Sequence, residues 1–306
     1  MRWNNQRRSD NVQNRRGRSG GRSAGGMGGA SLILTLIRFV FTRFGLGGIV
    51  VLVGGYLVLQ SMGINPLALL NGGGLAPTSS QMASGEAPTS AYDDMVAAVL
   101  GGTEDVWTEI FREEGLNGGS YPRPSLVLFT QGVNTACGYA PSAVGPFYCP
   151  GDRQVYIDTG FFDELQRKFG VLGDFPPAYV IAHEVGHHVQ TVIGISDQVR
   201  QYQARSSDVE SNRAQVRMEL QADCYAGLWA NRSEDVILEP GDIEEALAAA
   251  SAIGDDALQR KAGVREVDAD SFTHGSSEQR QRWFSRGYQT GDFSRCDTFA
   301  VAADQL

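Results

Sequence analysis

The chain has 306 residues, 42% of them hydrophobic, which is enough for one sizeable core with additional segments. Its formal net charge is −9, unevenly spread: residues 1–30 hold seven arginines against Asp10 alone, Arg38 and Arg43 follow, and residues 63–306 are strongly acidic. So acidic a domain is excluded as a nucleic-acid binder, because it would repel the phosphate backbone.

Residues 1–43 read as a basic cytoplasmic tail and juxtamembrane segment. The Gly/Ser/Arg-rich part at 17–29 has the composition of a disordered tail drawn to anionic lipid. From Phe44 to Met62 there are 19 residues without a charge, long enough for a helix to cross a bilayer core of roughly 30 Å. The arginines before it place the N-terminus inside and everything after Met62 outside. The apolar run at 32–41, interrupted by Arg38, is expected at the interface or as an extension into the headgroups. A cleaved signal peptide is the rival reading. A long polar and mixed stretch precedes the run, and no small-x-small site follows at Gln60-Ser61-Met62, which favours an uncleaved anchor.

Residues 63–91, with Gly72-Gly73-Gly74, Pro77 and Pro88, have the composition of a flexible tether. The folded domain, 92–306, opens with helical spacing at Met95, Val96, Val99 and Leu100, and a second helix is predicted from Glu104 to Glu114, stopped by Gly115. Ser125-Leu126-Val127-Leu128-Phe129 is a buried strand, and Tyr148 and Gln154-Val155-Tyr156-Ile157-Asp158 are further strand candidates around the turn Pro150-Gly151-Asp152. The 141–157 region is read as a sheet edge able to add an extended peptide, against simple sheet core. Helices are then predicted from Phe161 to Phe169, from Pro176-Pro177 to Gly194, and from Ser206 or Ser207 to Asn231, where Ser207 and Glu210 have capping-box spacing. Two more run from Asp242 to about Lys261 and from Ser277 to about Tyr288. All four cysteines lie in the part expected outside, which points to two disulfides. The short 137–149 loop favours Cys137–Cys149, leaving Cys224–Cys296, over a thiolate-ligand role for Cys224.

The chemistry concentrates in Ala182-His183-Glu184-Val185-Gly186-His187-His188-Val189. Residues four apart share a helix face, so His183 and His187 can offer imidazoles to one zinc ion, with Glu184 in the general-base position. Three of the four histidines fall in this stretch, which weighs against scattered structural histidines. His188, about 100° further round the helix, cannot share that metal and reads as a packing or supporting group. A catalytic zinc typically takes a third protein ligand, and Glu219 in Glu219-Leu220-Gln221-Ala222-Asp223 supplies it. Asp223, one turn on, is placed to accept the free N–H of a ligand histidine. A solvated helix face is the alternative for both acids; the apolar neighbours Met218, Leu220, Ala222 and Ala226 favour the site. His274, on a loop before the last helix, either reaches the open side of the zinc to hydrogen-bond an oxyanion or caps the following helix.

The chain resembles the neutral zinc metallopeptidase family of bacterial single-pass membrane proteins, and more distantly the gluzincin peptidases. The resemblance runs through Met1-Arg2-Trp3, Ser9-Asp10-Asn11-Val12, the apolar run, Gly145-Pro146-Phe147-Tyr148-Cys149-Pro150, Val155-Tyr156-Ile157-Asp158, the two-histidine stretch, and Glu219 with Asp223. In gluzincins the Glu-x-x-Ala-Asp pattern gives the third zinc ligand and its partner acid, which implies those roles for Glu219 and Asp223. Related membrane peptidases carry Thr-His-Pro with an arginine six residues past the histidine. Thr273, His274 and Arg280 match that spacing, with Gly275 in place of the proline, which implies the oxyanion role for His274. The expectation is an α+β, zincin-like (gluzincin-like) domain, mainly helical with a small sheet, behind one N-terminal transmembrane helix. It would be a zinc-dependent peptidase of the bacterial inner membrane with its catalytic domain periplasmic, acting on peptide or protein substrates of the envelope through a zinc-activated water. The competing class is a non-enzymatic envelope protein that uses a zinc site to bind a partner.

Overall fold

Residues 1–17 and 90–306 are described in the computed structural model, with every strand before Asp158 and most helices after it. Strand β1 (Val12–Asn14) comes first, then helix α1 (Asp93–Glu113), β2 (Ser125–Leu128), β3 (Gly132–Thr135), β4 (Gly138–Pro141), β5 (Phe147–Cys149) and β6 (Gln154–Ile157). Helices α2 (Gly160–Phe169), α3 (Phe175–Val192), α4 (Ile195–Gln203) and α5 (Asp208–Arg232) follow. After a single turn at Glu234–Ile237 come α6 (Asp242–Ala252), α7 (Asp255–Lys261) and α8 (Ser277–Thr290). The class is α+β, mainly helical with a small sheet. Among the described residues no helix is long and apolar enough to cross a membrane. The expected span at 44–62, and the tether apart from its last two residues, lie outside the described residues.

The sheet has the order β1-β2-β6-β5, parallel except for β5 against β6, and β3 and β4 form a separate antiparallel hairpin. Alternation along the strands divides the apolar residues between two faces. Leu126, Leu128, Val155 and Ile157 join the main core with the helices, while Val127, Phe129 and Tyr156 pack with Val133 and Cys149 under the hairpin. The Cys137–Cys149 disulfide ties the hairpin turn to β5. The edge expected within 141–157 is β5. The hairpin was not expected, because its strands carry few apolar residues and take their place from the disulfide.

The predicted helices follow their local signals with two exceptions, and α4 (Ile195–Gln203) falls where no helix was predicted. Pro176 and Pro177 sit in the first turn of α3, where a missing N–H costs nothing, and Gly194 takes a left-handed conformation just past its end. Ser207 and Glu210 cap α5 reciprocally. The two helices expected between 92 and 114 are one, because Gly101-Gly102 does not break it: an added Cβ at Gly101 would lie 2.4 Å from the Arg7 carbonyl oxygen, so that glycine admits a neighbouring backbone. Conversely, the helix expected from 242 to 261 is split at Gly254, where a Cβ would lie 2.4 Å from the Ser277 nitrogen.

Residues 1–17 fold into the same compact unit as the domain beginning near residue 90, although their basic composition had assigned them to a tail. β1 pairs in parallel with β2. The carboxylate of Glu104, fully buried in α1, accepts hydrogen bonds from Ser9 Oγ (2.6 Å), Asn11 Nδ2 (2.7 Å) and Arg7 Nη2 (2.8 Å). The Met1 amino group lies 2.8 Å from Asp174, just before α3, and 2.7 Å from Glu239.

The tightest helix contact is between α5 and α8. A Cβ on Gly227 would lie 2.0 Å from the Phe284 carbonyl oxygen, and one on Gly287 would lie 2.0 Å from that of Cys224. The Cys224–Cys296 disulfide joins α5, beside that contact, to the turn that follows α8. Gly287→Ala should therefore lower stability by about 1–3 kcal/mol through overpacking, read from the urea midpoint. Gly102→Ala, whose new Cβ would meet only Trp229 Nε1 at 3.7 Å, should be neutral or slightly stabilising. Equal midpoints for the two variants would show that α5 and α8 do not depend on glycine at their crossing.

Candidate metal centre

The site is built on α3 and α5, which approach closely because Gly186 faces Ala222; a Cβ there would lie 3.1 Å from the Ala222 Cα. The glycine between the two histidines thus lets the second helix bring Glu219 to them. His183 Nδ1 donates to Asp223 Oδ1 at 2.8 Å, and His187 Nδ1 donates to Gln190 Oε1 at 2.9 Å. With Nδ1 of each ring engaged, both Nε2 atoms face inward, where a metal would displace the proton that a charged imidazole carries. Glu219 Oε2 lies 3.2 Å from His183 Nε2 and 3.5 Å from His187 Nε2. Four-coordinate zinc, with ligand bonds near 2.0–2.1 Å, sets its ligand atoms roughly 3.3 Å apart. The two nitrogens and one oxygen therefore fit zinc in donor type and in spacing. All three donor atoms lie within 4.8 Å of one another.

The electrostatics suit a cation. Burial opposes ionisation of Glu219, but His187 and His183 overcome it and hold the carboxyl well below its usual range. Burial likewise opposes charge on His183, but Asp223 and Glu219 outweigh it and raise the imidazole to about 9. Glu184 is buried beside His183 and makes no hydrogen bond to any described residue. Burial raises its pKa, opposed by the two histidines. A buried carboxyl with no protein partner is open to a proton from a reacting water.

From residue 1 to 299 the sequence matches the family described as "Putative neutral zinc metallopeptidase". The chain belongs to this family. It is 45% identical to YpfJ of Escherichia coli (strain K12) over 309 residues, 98% of this chain and 99% of that protein. It is also 47% identical to Rv2575 of Mycobacterium tuberculosis (strain ATCC 25618 / H37Rv) over 194 residues, 60% of this chain and 64% of the relative. Both relatives carry names that call them uncharacterized. No solved structure matches.

In this member of the family the structure brings together His183, Glu184, His187, Glu219 and Asp223. Burial opposes the charge of Asp223, but Arg280 and His183 hold its pKa at about 2. Arg280 donates from Nε to Oδ2 at 2.8 Å and from Nη2 to Oδ1 at 3.0 Å, and Tyr179 donates to Oδ1 at 2.6 Å. His274 stands apart from this buried group. Its side chain is 52% exposed, its Nδ1 is 3.2 Å from Asp255 Oδ1, and Asp255 Oδ2 also accepts the backbone N–H groups of Thr273, His274 and Gly275. The Asp255 hydrogen bond raises the His274 pKa against burial, with a further contribution from Glu219. Gly275 packs over Val216 and Leu220, on the turn of α5 that carries Glu219. The cap on α8 is Ser276, so His274 does not have that role.

His188 is a buried link. Burial lowers its pKa to about 4, so it is neutral. Nε2–H donates to the Pro122 carbonyl at 2.5 Å and Nδ1 accepts from the Tyr148 hydroxyl at 3.1 Å, which joins α3 to β5. Sequence reasoning missed Tyr179, Gln190 and Gln215. Gln215 Nε2 donates to Glu219 Oε1 at 2.9 Å, and Gln190 is held by its own bonds to Met218 O and Gln221 Oε1. The available signal was helical spacing: Tyr179 precedes His183 by four, Gln190 follows His187 by three, and Gln215 precedes Glu219 by four.

Gln190→Leu should weaken zinc binding by roughly 10–100-fold, the usual cost of losing the partner that orients a ligand histidine, while far-UV circular dichroism stays unchanged. Competition against a chelator of known affinity measures this, and wild-type affinity in the variant would remove Gln190 from the support of His187.

Proposed function

We propose that this chain is a zinc-dependent peptidase, with His183, His187 and Glu219 holding the metal and Glu184 as general base. The observation that carries the reading is the convergence of two imidazole Nε2 atoms and Glu219 Oε2 at zinc-ligand spacing, beside a buried carboxyl with no hydrogen-bond partner among the described residues. Zinc bound there would supply Lewis-acid polarisation of water and of a scissile carbonyl. Glu184 takes the proton of the attacking water and delivers it to the leaving amine. The His274 imidazole, oriented by Asp255, donates to the oxyanion. Asp223, Tyr179 and Arg280 hold His183 in the tautomer that presents Nε2.

A zincin-like fold is supported by the pairing of a two-histidine helix with a second helix carrying the acid ligand, alongside a small sheet. A peptide substrate is supported by β5, a sheet edge joined to the metal helix through Tyr148 and His188. The two disulfides support an oxidising, extracytoplasmic setting.

Glu184→Gln should retain about one zinc per chain while hydrolysis of a peptide mixture falls on the order of 10²–10⁴-fold. Removing the metal with a chelator should abolish cleavage in the wild type, and added zinc should restore it. Full activity in the variant would remove Glu184 from the mechanism. Zinc retained with no cleavage by either protein would favour a metal site that serves partner binding. His274→Ala, at an exposed loop position, should lower kcat by about 10²–10³ with little change in KM, the signature of a group that acts on the transition state alone. An equal rise in KM with kcat unchanged would instead make His274 a substrate-binding group.

A further inference from the structure

We infer that the N-terminal segment, residues 1–17, and the metal domain occupy the same side of the membrane. The inference is independent of the peptidase reading. It rests on how completely the first residues are built into the domain. Asn11 O accepts from Leu126 N at 2.9 Å and Arg15 N donates to Leu128 O at 2.8 Å, so β1 continues the ladder of β2 from both ends. Without residues 1–17, the fully buried Glu104 carboxylate would lose Ser9, Asn11 and Arg7 and keep only Arg123 at 3.8 Å. A buried charge stripped of its partners is strongly destabilising. Gly101 accommodates the Arg7 backbone where no side chain could fit. A hydrogen-bonded strand, a buried charge network and a glycine contact together describe one fold, which a bilayer cannot divide.

The arginines explain why the opposite arrangement suggested itself. Orientation by positive charge assumes basic residues that are otherwise unused. Here Arg7 pairs with Glu104 and Asp105, Arg8 with Asp94, and Arg16 with Asp93, all acids of α1. Arg2 donates to the Leu238 carbonyl and Arg15 to Gln154. Five of the seven arginines in residues 1–30 are thus engaged with the domain. The point of departure and the point of return also coincide, since Arg16, beside the last described residue of the first segment, bonds Asp93 at the start of α1. Whatever path residues 18–89 take, including the apolar run at 44–62, both of their ends lie on one folded unit. Residues 1–17 and the metal domain therefore belong together on one side, in place of the opposite sides read from charge bias.

The test uses the full-length chain in bacterial spheroplasts, with Asn5→Cys or Leu172→Cys at two exposed positions, one in each segment. The four native cysteines are paired in disulfides. Each variant is treated with a membrane-impermeant maleimide before and after detergent permeabilisation, and labelling of the Asn5 and Leu172 peptides is read by mass spectrometry. The expected result is the same pattern at both sites: both labelled in intact spheroplasts, or both labelled only after permeabilisation. Labelling of one site in intact spheroplasts, with the other requiring detergent, would place the segments on opposite faces and overturn the inference.

Discussion

Asp223 is the buried charge on which the helices and the candidate metal site both depend. It draws Tyr179 and His183 from α3 and Arg280 from α8 onto one carboxylate of α5. Removing one partner of such a buried group typically costs about 3–5 kcal/mol, so the three helices are held together by mutual necessity as much as by apolar packing. Arginine suits the place because its planar fork reaches both carboxylate oxygens, which a lysine ammonium does not match. Asp223 lies one turn beyond Glu219, so fixing one fixes the face that presents the other. The Gly186–Ala222 contact then sets how closely Glu219 approaches the histidines.

Much of this was legible because helical period carries it. His183, His187 and Glu184 were placed by spacing alone, and Glu219 with Asp223 by the need for a third ligand and its support on a neighbouring helix. The Ser207–Glu210 cap and the Pro176-Pro177 start are local signals that tertiary structure had no reason to override. What spacing could not reveal was the partner across a gap. Gln190 reads as an ordinary polar residue near a helix end until His187 Nδ1 is seen to need an acceptor. Asp255 looks like an acid in the first turn of a short helix, and only the fold shows it gathering three backbone N–H groups of the His274 loop.

The glycines mark the same limit. Gly101 and Gly254 are alike as letters, yet one sits inside a continuous helix and the other separates two. The difference lies in what approaches each: the Arg7 backbone passes over a helix that continues, whereas the Ser277 backbone meets the chain at a break between helices. A glycine's role as a stop or as a contact point belongs to its surroundings, and those come from residues far away in sequence. The β3–β4 hairpin was missed for a related reason, since its small core is shared with strands distant in sequence and its turn is fixed by a disulfide.

The N-terminal arginines are the residues whose composition says least about their contacts, and the cause is physical. A cluster of cations before an apolar run has the same composition whether it faces lipid headgroups or an acidic protein surface. The distinguishing signal sits in α1, where Asp93 and Glu104, and likewise Asp94 and Asp105, are eleven residues apart. Eleven residues are about three helical turns, so these pairs fall on shared faces and make an acidic stripe long enough to receive an extended basic segment. Arg16, Arg8 and Arg7 meet that stripe at Asp93, Asp94, Glu104 and Asp105. The two segments run antiparallel along it, the later arginine meeting the earlier acid. Net charge by region concealed this, because opposite charges distant in sequence cancel across the fold and not within either segment.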